Sequence, residues 1–458
     1  MGQNDRPVQR GISWLLTIVR GFFWLLASDW RQFPNDETRA PSPESPVKYA
    51  IRTFGCRVNQ ADSFEIEASL RTRGAAEAPP EEADLVVVNT CTVTGAADQG
   101  ARNLIRRIAS RNASARIIVT GCYATREPDA LASMPGVVRL VPNSRKSALI
   151  EEVCGPRIDD GPCGTSIEPG VMGRTAYPLR VQTGCDEPCA FCVVPSTRGP
   201  SRSRPLADVL TDVGRLAGAG YKELWLIGVH LGSYGRDLAP SASLCELLRA
   251  LDRARGDVTF RIGSLEPMDC PPEVVALVER SGRFVPHFHL ALQHGCDRVL
   301  ASMRRPYSAG FYRALVRDIR TRLPHASIGA DVIAGFPGES EADADEGEET
   351  VATLPLSYLH VFPYSDRPGT AASAMTPKVA PDTIRARAAR MREIGDRHAA
   401  RFIAAQVGAT RPGLTIDDGT TVLTDNFLKV TIPPGLPRNT RVNVLIASDS
   451  PALAGRVT

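Results

Sequence analysis

From residue 47 onward, short apolar runs alternate with stretches whose apolar residues recur every three or four positions. The runs predict strands and the recurrences predict amphipathic helices. Strands are expected at 49–54, 85–88 and 117–120, with helices over 63–73 and 100–110 between them. This β-α-β-α-β order argues a parallel sheet with helices on its faces. Further strands are expected near 177–182, 224–228, 259–263, 287–292, 327–334 and 358–364. Helical segments such as 206–219, 297–303 and 309–322 separate them, which makes a six-stranded parallel α/β layout. A basic helical run follows over 384–401. Short strands at 413–416, 420–424, 427–432 and 441–446, broken by Gly, Pro, Asp and Asn, then predict a small all-β unit. The expected domains are 47–156, 171–395 and 396–458.

The first 46 residues stand apart. Their apolar stretch over 12–27 is interrupted by Arg20 and Gly21. A spanning helix needs about 20 mostly apolar residues, so no stable membrane association is expected. Arg6 and Arg10 before an apolar run also fit a signal peptide, but export would put the cysteines discussed below in an oxidising compartment. The expectation is a start set too far upstream or a loosely attached interfacial helix, followed by a Pro-rich linker.

Charge narrows the field. Lys+Arg 54 against Asp+Glu 51 leaves a net charge of +3 in 458 residues, which excludes a histone-like polycation. Contact with nucleic acid must come from local basic patches. Eleven cysteines are too few for a secreted disulfide scaffold of this length. Cys56, Cys91 and Cys122 each follow a predicted strand, 35 and 31 residues apart. In open α/β sheets the loops beyond the strands' carboxyl ends line one crevice. Three thiols in register there form a ligand constellation. Buried core cysteines and zinc are the competing readings, but zinc favours paired C-x₂₋₄-C ligands, and none exist among these three.

Cys185, Cys189 and Cys192 form C-x₃-C-x₂-C on one loop. Three such thiolates can cap three irons of a 4Fe–4S cube and leave the fourth open. Cys154, Cys163, Cys245, Cys270 and Cys296 lack ligand spacing and read as core or surface thiols.

The C-x₃-C-x₂-C loop resembles the radical S-adenosylmethionine (SAM) superfamily motif, which implies a partial (β/α)₆ barrel and SAM held at the open iron. Segments at 228–235, 263–267, 292–296 and 331–338 resemble that family's strand ends, although His294-Gly-Cys296 stands where Ser-Gly-Ser is more usual. The resemblance makes Gly228, Ser264, Glu266, Gln293 and Asp331 candidate SAM contacts. A three-Cys domain ahead of such a core resembles the methylthiotransferase family. The strings Thr53-Phe-Gly-Cys-Arg-Val-Asn-Gln60, Asn89-Thr-Cys-Thr-Val-Thr94, Thr120-Gly-Cys-Tyr-Ala124 and Arg198-Gly-Pro-Ser-Arg-Ser-Arg204 look like its MtaB type. That type acts on N6-threonylcarbamoyladenosine beside the tRNA anticodon. The small all-β unit resembles a TRAM domain, with Thr424-Asp-Asn-Phe-Leu-Lys429 its best match.

The resemblance implies two 4Fe–4S clusters. One, on Cys185, Cys189 and Cys192, cleaves SAM; an auxiliary one, on Cys56, Cys91 and Cys122, carries the sulfur that is methylated and transferred to carbon 2 of the adenine. No catalytic acid/base residue is expected. A flavodoxin- or ferredoxin-like electron donor, a sulfur donor, the tRNA anticodon stem-loop and a cytoplasmic location are implied. Candidate RNA contacts are Arg198, Arg202, Arg204 and Lys429, with Arg102, Arg106 and Arg107 on a first-domain helix. The competing functions are methylthiolation of isopentenyladenosine tRNA or a ribosomal protein, and a non-catalytic iron–sulfur RNA-binding protein.

Overall fold

The protein is described from a computed structural model that covers residues 46–154, 168–448 and 453–458, with side chains of 152–154 excluded. All of the expected extension over 1–46 except Pro46, together with Cys163 and the Cys154 side chain, lies outside the described residues. Among the described residues no helix is long and apolar enough to cross a membrane.

The first sheet is parallel throughout, in the order β2-β1-β3-β4-β5: β1 (Lys48–Thr53), β2 (Ala76–Glu77), β3 (Leu85–Thr90), β4 (Arg116–Gly121) and β5 (Val137–Val141). β3 reads LVVVNT and is buried at every position, the pattern of a strand covered on both faces. Val86 and Val88 join one core with Ile105 and Ile117, while Leu85 and Val87 join the other with Ile66 and Leu70. α1 (Arg57–Arg71) starts directly after Cys56. α2 (Gly95–Arg111) starts at Thr94, whose hydroxyl caps it by accepting from Ala97 N, and buries Ala101, Ile105 and Ile108 on one stripe. α3 (Cys122–Arg126) starts at the third cysteine. β2 and β5 were not expected: β2 is only two exposed residues, and β5 is mostly half-buried, so neither makes a strong apolar run.

The central domain is an open parallel barrel of β6 (Tyr177–Arg180), β9 (Glu223–Ile227), β10 (Thr259–Ile262), β11 (His287–His289), β12 (Ser327–Ala334) and β13 (Tyr358–Pro363). The short β7 (Gln182–Thr183) and β8 (Arg202–Ser203) pair beside it. β10 and β11 are joined through the Leu265–Leu290 bridge. β11 stops at His289, three residues before the expected end, because Gln293 adopts φ +67 and turns the chain. Alternate residues sort cleanly by face. Leu224, Leu226, Phe260, Ile262, Phe288, Ile328, Ala330 and Val332 pack outward under the helices. The intervening positions, including Trp225, Arg261, His287, His289, Asp331, Tyr358 and His360, line the concave lumen.

The expected boundary at 395/396 falls inside one continuous helix, Pro381–Ala404. Its inward stripe runs through Met391 and Ile394 of the central core to Phe402 of the next core, so the helix serves both domains. The last domain is a closed barrel, in the order β14-β15-β16-β18-β17. Its strands are β14 (Thr410–Ile416), β15 (Thr421–Thr424), β16 (Lys429–Thr431), β17 (Arg441–Ser448) and the unexpected closing strand β18 (Ala454–Val457).

The loop at 424–429, the best match to the TRAM pattern, docks into the central domain. Arg261 is 1% exposed and grips Glu223 at 2.9 and 3.1 Å. It also donates to the Thr424 and Asp425 carbonyls at 3.3 and 3.0 Å. Asn426 is fully buried and donates to His325 O. The Phe427 ring lies 4.5 Å from His287 and 5.8 Å from both Trp225 and Tyr358. Lys429 alone of that string's polar ends is exposed. Arg261→Ala leaves Glu223 buried without its partner, a loss of roughly 3–5 kcal/mol. The expected outcome is a lower unfolding temperature and faster proteolysis near residues 406–409.

Candidate metal centres and substrate lumen

The first trio is assembled by strand ends. Cys56 is the N-cap of α1, Cys91 follows β3, and Cys122 is the first residue of α3. Cys122 therefore sits on a helix start, not in the expected loop, because β4 runs straight into α3 through Gly121. Cys56 and Cys122 both lie within electrostatic reach of Cys91, and burial, reinforced by these neighbours, pushes the Cys91 thiol up to about 11. Gly55 adopts φ +88, and a Cβ there would fall 2.4 Å from Cys91 Sγ. The position thus demands glycine on two counts.

The second trio lies on the loop that follows β7. Gly184 (φ +73) lets this loop pass the Pro200 carbonyl, which a Cβ would meet at 1.9 Å. Gln182 clamps the loop by donating to Gly184 O at 2.8 Å, while its Oε1 accepts from Val229 N and His230 N beside Gly228. Backbone N–H groups point at the sulfurs: Val93 at Cys91, Glu187 at Cys185 and Val194 at Cys192, each at 3.4 Å. Arg305 Nη1 donates to Cys189 Sγ at 2.9 Å. Burial pushes the Cys192 thiol up to about 12.

All nine described cysteines are free. Cys91 and Cys122 are buried, Cys185, Cys189 and Cys192 half-buried and Cys56 exposed, and every one but Cys56 receives a donor; such thiols are good ligands once a cation supplies the charge, so both trios fit a metal–sulfur group. His230 is held near 9. Burial works to lower it, but Asp269, at 2.7 Å from Nε2, and Cys185 outweigh that.

The two trios are neighbours. α3 packs on the short helix Val194–Arg198 that follows Cys192. Asn143 bridges them, donating to Cys122 Sγ at 3.5 Å and Thr197 O at 2.9 Å. Beneath this seam Asp62 of α1 meets Lys146 and Arg198 at 2.8 Å each and Arg180 at 3.3 Å. Burial works to raise Asp62, but the three cations hold its carboxyl well below the usual range. Arg198 is 6% exposed and also bonds Asn59 and Thr183. It is therefore a buried interdomain tie and not the expected phosphate contact. Arg204 is half-buried on Asp212 and the Arg180 carbonyl. Arg202, Arg106 and Arg107 are exposed, and Arg102 donates to the Tyr123 hydroxyl.

The candidate SAM contacts divide. Glu266 ion-pairs with Arg305, which places it beside Cys189; Ser264 is exposed at the same strand end. Gln293 is tied by its backbone to Asp331 O and Ile333 N. Asp331 lies in the lumen with His289 Nε2 at 3.0 Å and His360 Nδ1 at 3.2 Å. Sequence reading passed over Asp62, Lys146, Arg305 and the lumen histidines, since isolated charged or His residues carry no spacing signal.

A family model described as uncharacterized protein family UPF0004 matches residues 48–142, and one for the radical SAM superfamily matches residues 179–349. Threonylcarbamoyladenosine tRNA methylthiotransferase MtaB of Aquifex aeolicus is 35% identical over 84% of this chain and 96% of its own length. The chain belongs to the MtaB-type methylthiotransferases. The Bacillus subtilis MtaB is 34% identical over 77% of this chain and 81% of that one. A tRNA-2-methylthio-N(6)-dimethylallyladenosine synthase of Acidothermus cellulolyticus is 33% identical over 84% and 80%. The radical SAM methyltransferase TsrM of Kitasatospora setae superposes with a TM-score of 0.50 at 16% identity, covering 72% of this chain and 77% of that one, which shows a shared fold. This MtaB-type chain is accordingly an enzyme whose family works with SAM and a 4Fe–4S cluster.

Asp62→Ala would strand buried Lys146 and Arg198 without their counter-ion, at about 3–5 kcal/mol. Because the folded-state carboxyl titrates well below an ordinary aspartate, its contribution is complete above about pH 4 and fades as the pH falls further. Thermal unfolding should show a constant deficit from about pH 5 to 8 that shrinks below about pH 4.

Proposed function

We propose that this enzyme adds a methylthio group to carbon 2 of N6-threonylcarbamoyladenosine next to the tRNA anticodon. The observation that carries this reading is the nearness of the two cysteine trios, with Asn143 bonding Cys122 Sγ and the Thr197 carbonyl on the helix after Cys192, in a chain that spans nearly the whole length of a relative bearing that activity. Cys185, Cys189 and Cys192 would hold the cluster that binds SAM, and Cys56, Cys91 and Cys122 an auxiliary cluster. Bound there, the two clusters supply electron transfer to SAM and a carrier for the transferred sulfur.

The chain's own residues then position and shield. Arg305 joins Cys189 to Glu266, so one guanidinium fixes the sulfur and a strand-end carboxylate together. Gln182 holds the loop carrying the second trio against the Gly228 turn, leaving Gly228 close to that trio. Ala190 packs under this loop with Met303 and Phe336, excluding water from its inner side. A nucleoside reaching both trios must leave the anticodon stack, as enzymes that act on a base within structured nucleic acid require. Exposed Arg202, Arg106, Arg107 and Lys429 are the basic groups available to the RNA backbone. A reductant protein, a sulfur donor and a cytoplasmic setting complete the proposal.

Two measurements test it. Iron and sulfide analysis should find about eight irons per chain, at four per cluster. That falls to about four when Cys56, Cys91 and Cys122 become Ala, whereas unchanged iron would refute the ligand assignment. Mass spectrometry of tRNA nucleosides from cells lacking the gene should show unmethylthiolated N6-threonylcarbamoyladenosine. Restoration of the methylthio form should require all six cysteines.

A further inference from the structure

The lumen holds a cation with no counter-ion. Arg57, the residue after Cys56, extends into the central barrel and places its guanidinium 3.8 Å from the Trp225 ring centroid and 5.8 Å from that of Phe427. Among the described residues it has no hydrogen-bond or ion-pair partner. Its neighbours are ring faces, the Tyr358 hydroxyl and a second cation, Arg261, which Glu223 already neutralises. A guanidinium shielded from water is ordinarily paired, and its planar fork matches a carboxylate.

Next to it lies a chain of polar groups. The Tyr358 hydroxyl sits 2.8 Å from His287 Nε2 and 3.0 Å from His289 Nδ1. His289 and His360 converge on Asp331 Oδ1. Asp331 is 23% exposed and His360 51%, so the chain opens toward solvent at one end.

This lumen adjoins both trios. On one side Arg57 is covalently next to Cys56. On the other, Arg305 bonds both Cys189 and the Tyr307 hydroxyl, and Tyr307 feels both Cys189 and Asp331. A base held between the trios would have its substituent directed into this polar space.

We propose that Arg57, together with Asp331, His289 and His360, is the receptor for an acidic, ureido-linked substituent on N6 of the target adenosine. The inference rests on the function proposed above and adds the residues that select the nucleoside. The substituent's carboxylate pairs with Arg57, and Asp331 accepts from a ureido N–H. An apolar N6 chain would cover Arg57 without satisfying it. Sites built to hydrogen-bond a substrate discriminate strongly against analogues that lack the group.

The test uses the full-length holoenzyme and two anticodon stem-loop RNAs, one carrying N6-threonylcarbamoyladenosine and one its carboxamide analogue. Fluorescence anisotropy without SAM gives Kd, and turnover gives kcat/KM. A charged hydrogen bond of this kind corresponds to about a 10- to 100-fold preference of the native enzyme for the acid. Arg57→Gln should erase that preference by weakening the acid and leaving the amide unchanged, while Arg57→Lys keeps part of it. Equal binding of the two RNAs by the native enzyme overturns the receptor. So does an Arg57→Gln variant that loses both RNAs alike, which would mark Arg57 as a prop for the Cys56 loop. Preferential binding of the acid with no methylthiolation of either RNA would instead refute the proposed function and leave the receptor standing.

Discussion

The fixed relation between the two cysteine trios depends on one buried carboxylate. Asp62 belongs to the first domain, yet two of its three cationic partners, Arg180 and Arg198, come from the central one. Lys146 closes the set from the segment after β5. A buried charge is tolerated only when it is paired, and this placement of α1 against the central domain pairs all four groups. That requirement holds α3 against the helix after Cys192 and brings the Thr197 carbonyl within reach of Asn143.

A second junction draws three parts of the chain to one place. Arg57 arrives from the first domain, Trp225, Arg261, His287 and Tyr358 line the central barrel, and Phe427 enters from the last domain. Phe427 adopts φ +69, a costly conformation for an aromatic residue, held here by the buried Asn426 and Leu428 on either side. The small barrel therefore closes one end of the lumen as well as presenting Lys429 to solvent. Its docking covers the Phe427 end of a polar lumen whose other end, at Asp331 and His360, opens to solvent.

Much of this was legible before any coordinates. β12 and the helix Ala309–Arg322 match their expected bounds, because each is a long segment with one clear period. The grouping of the six cysteines was legible because their spacing, within one loop or at successive strand ends, is a local property of the chain. Short or half-exposed strands such as β2, β5 and β18 were not, since they bury too little apolar surface to leave a pattern. The arginines misled for a related reason. Arg198 and Arg202 look alike in a basic string, yet one is sealed against Asp62 and the other faces solvent.

The amino-acid sequence by itself determined the order of elements, the parallel sheets and the two sulfur trios, because periodicity and ligand spacing are local properties of a chain. Tertiary structure alone decided which charges are neutralised. Whether an arginine is a tie, a clamp or a waiting receptor depends on carboxylates more than a hundred residues away, as with Arg198 and Asp62, or on their absence, as with Arg57. Coulomb energy and desolvation are set by distance and burial in space, which no linear pattern records.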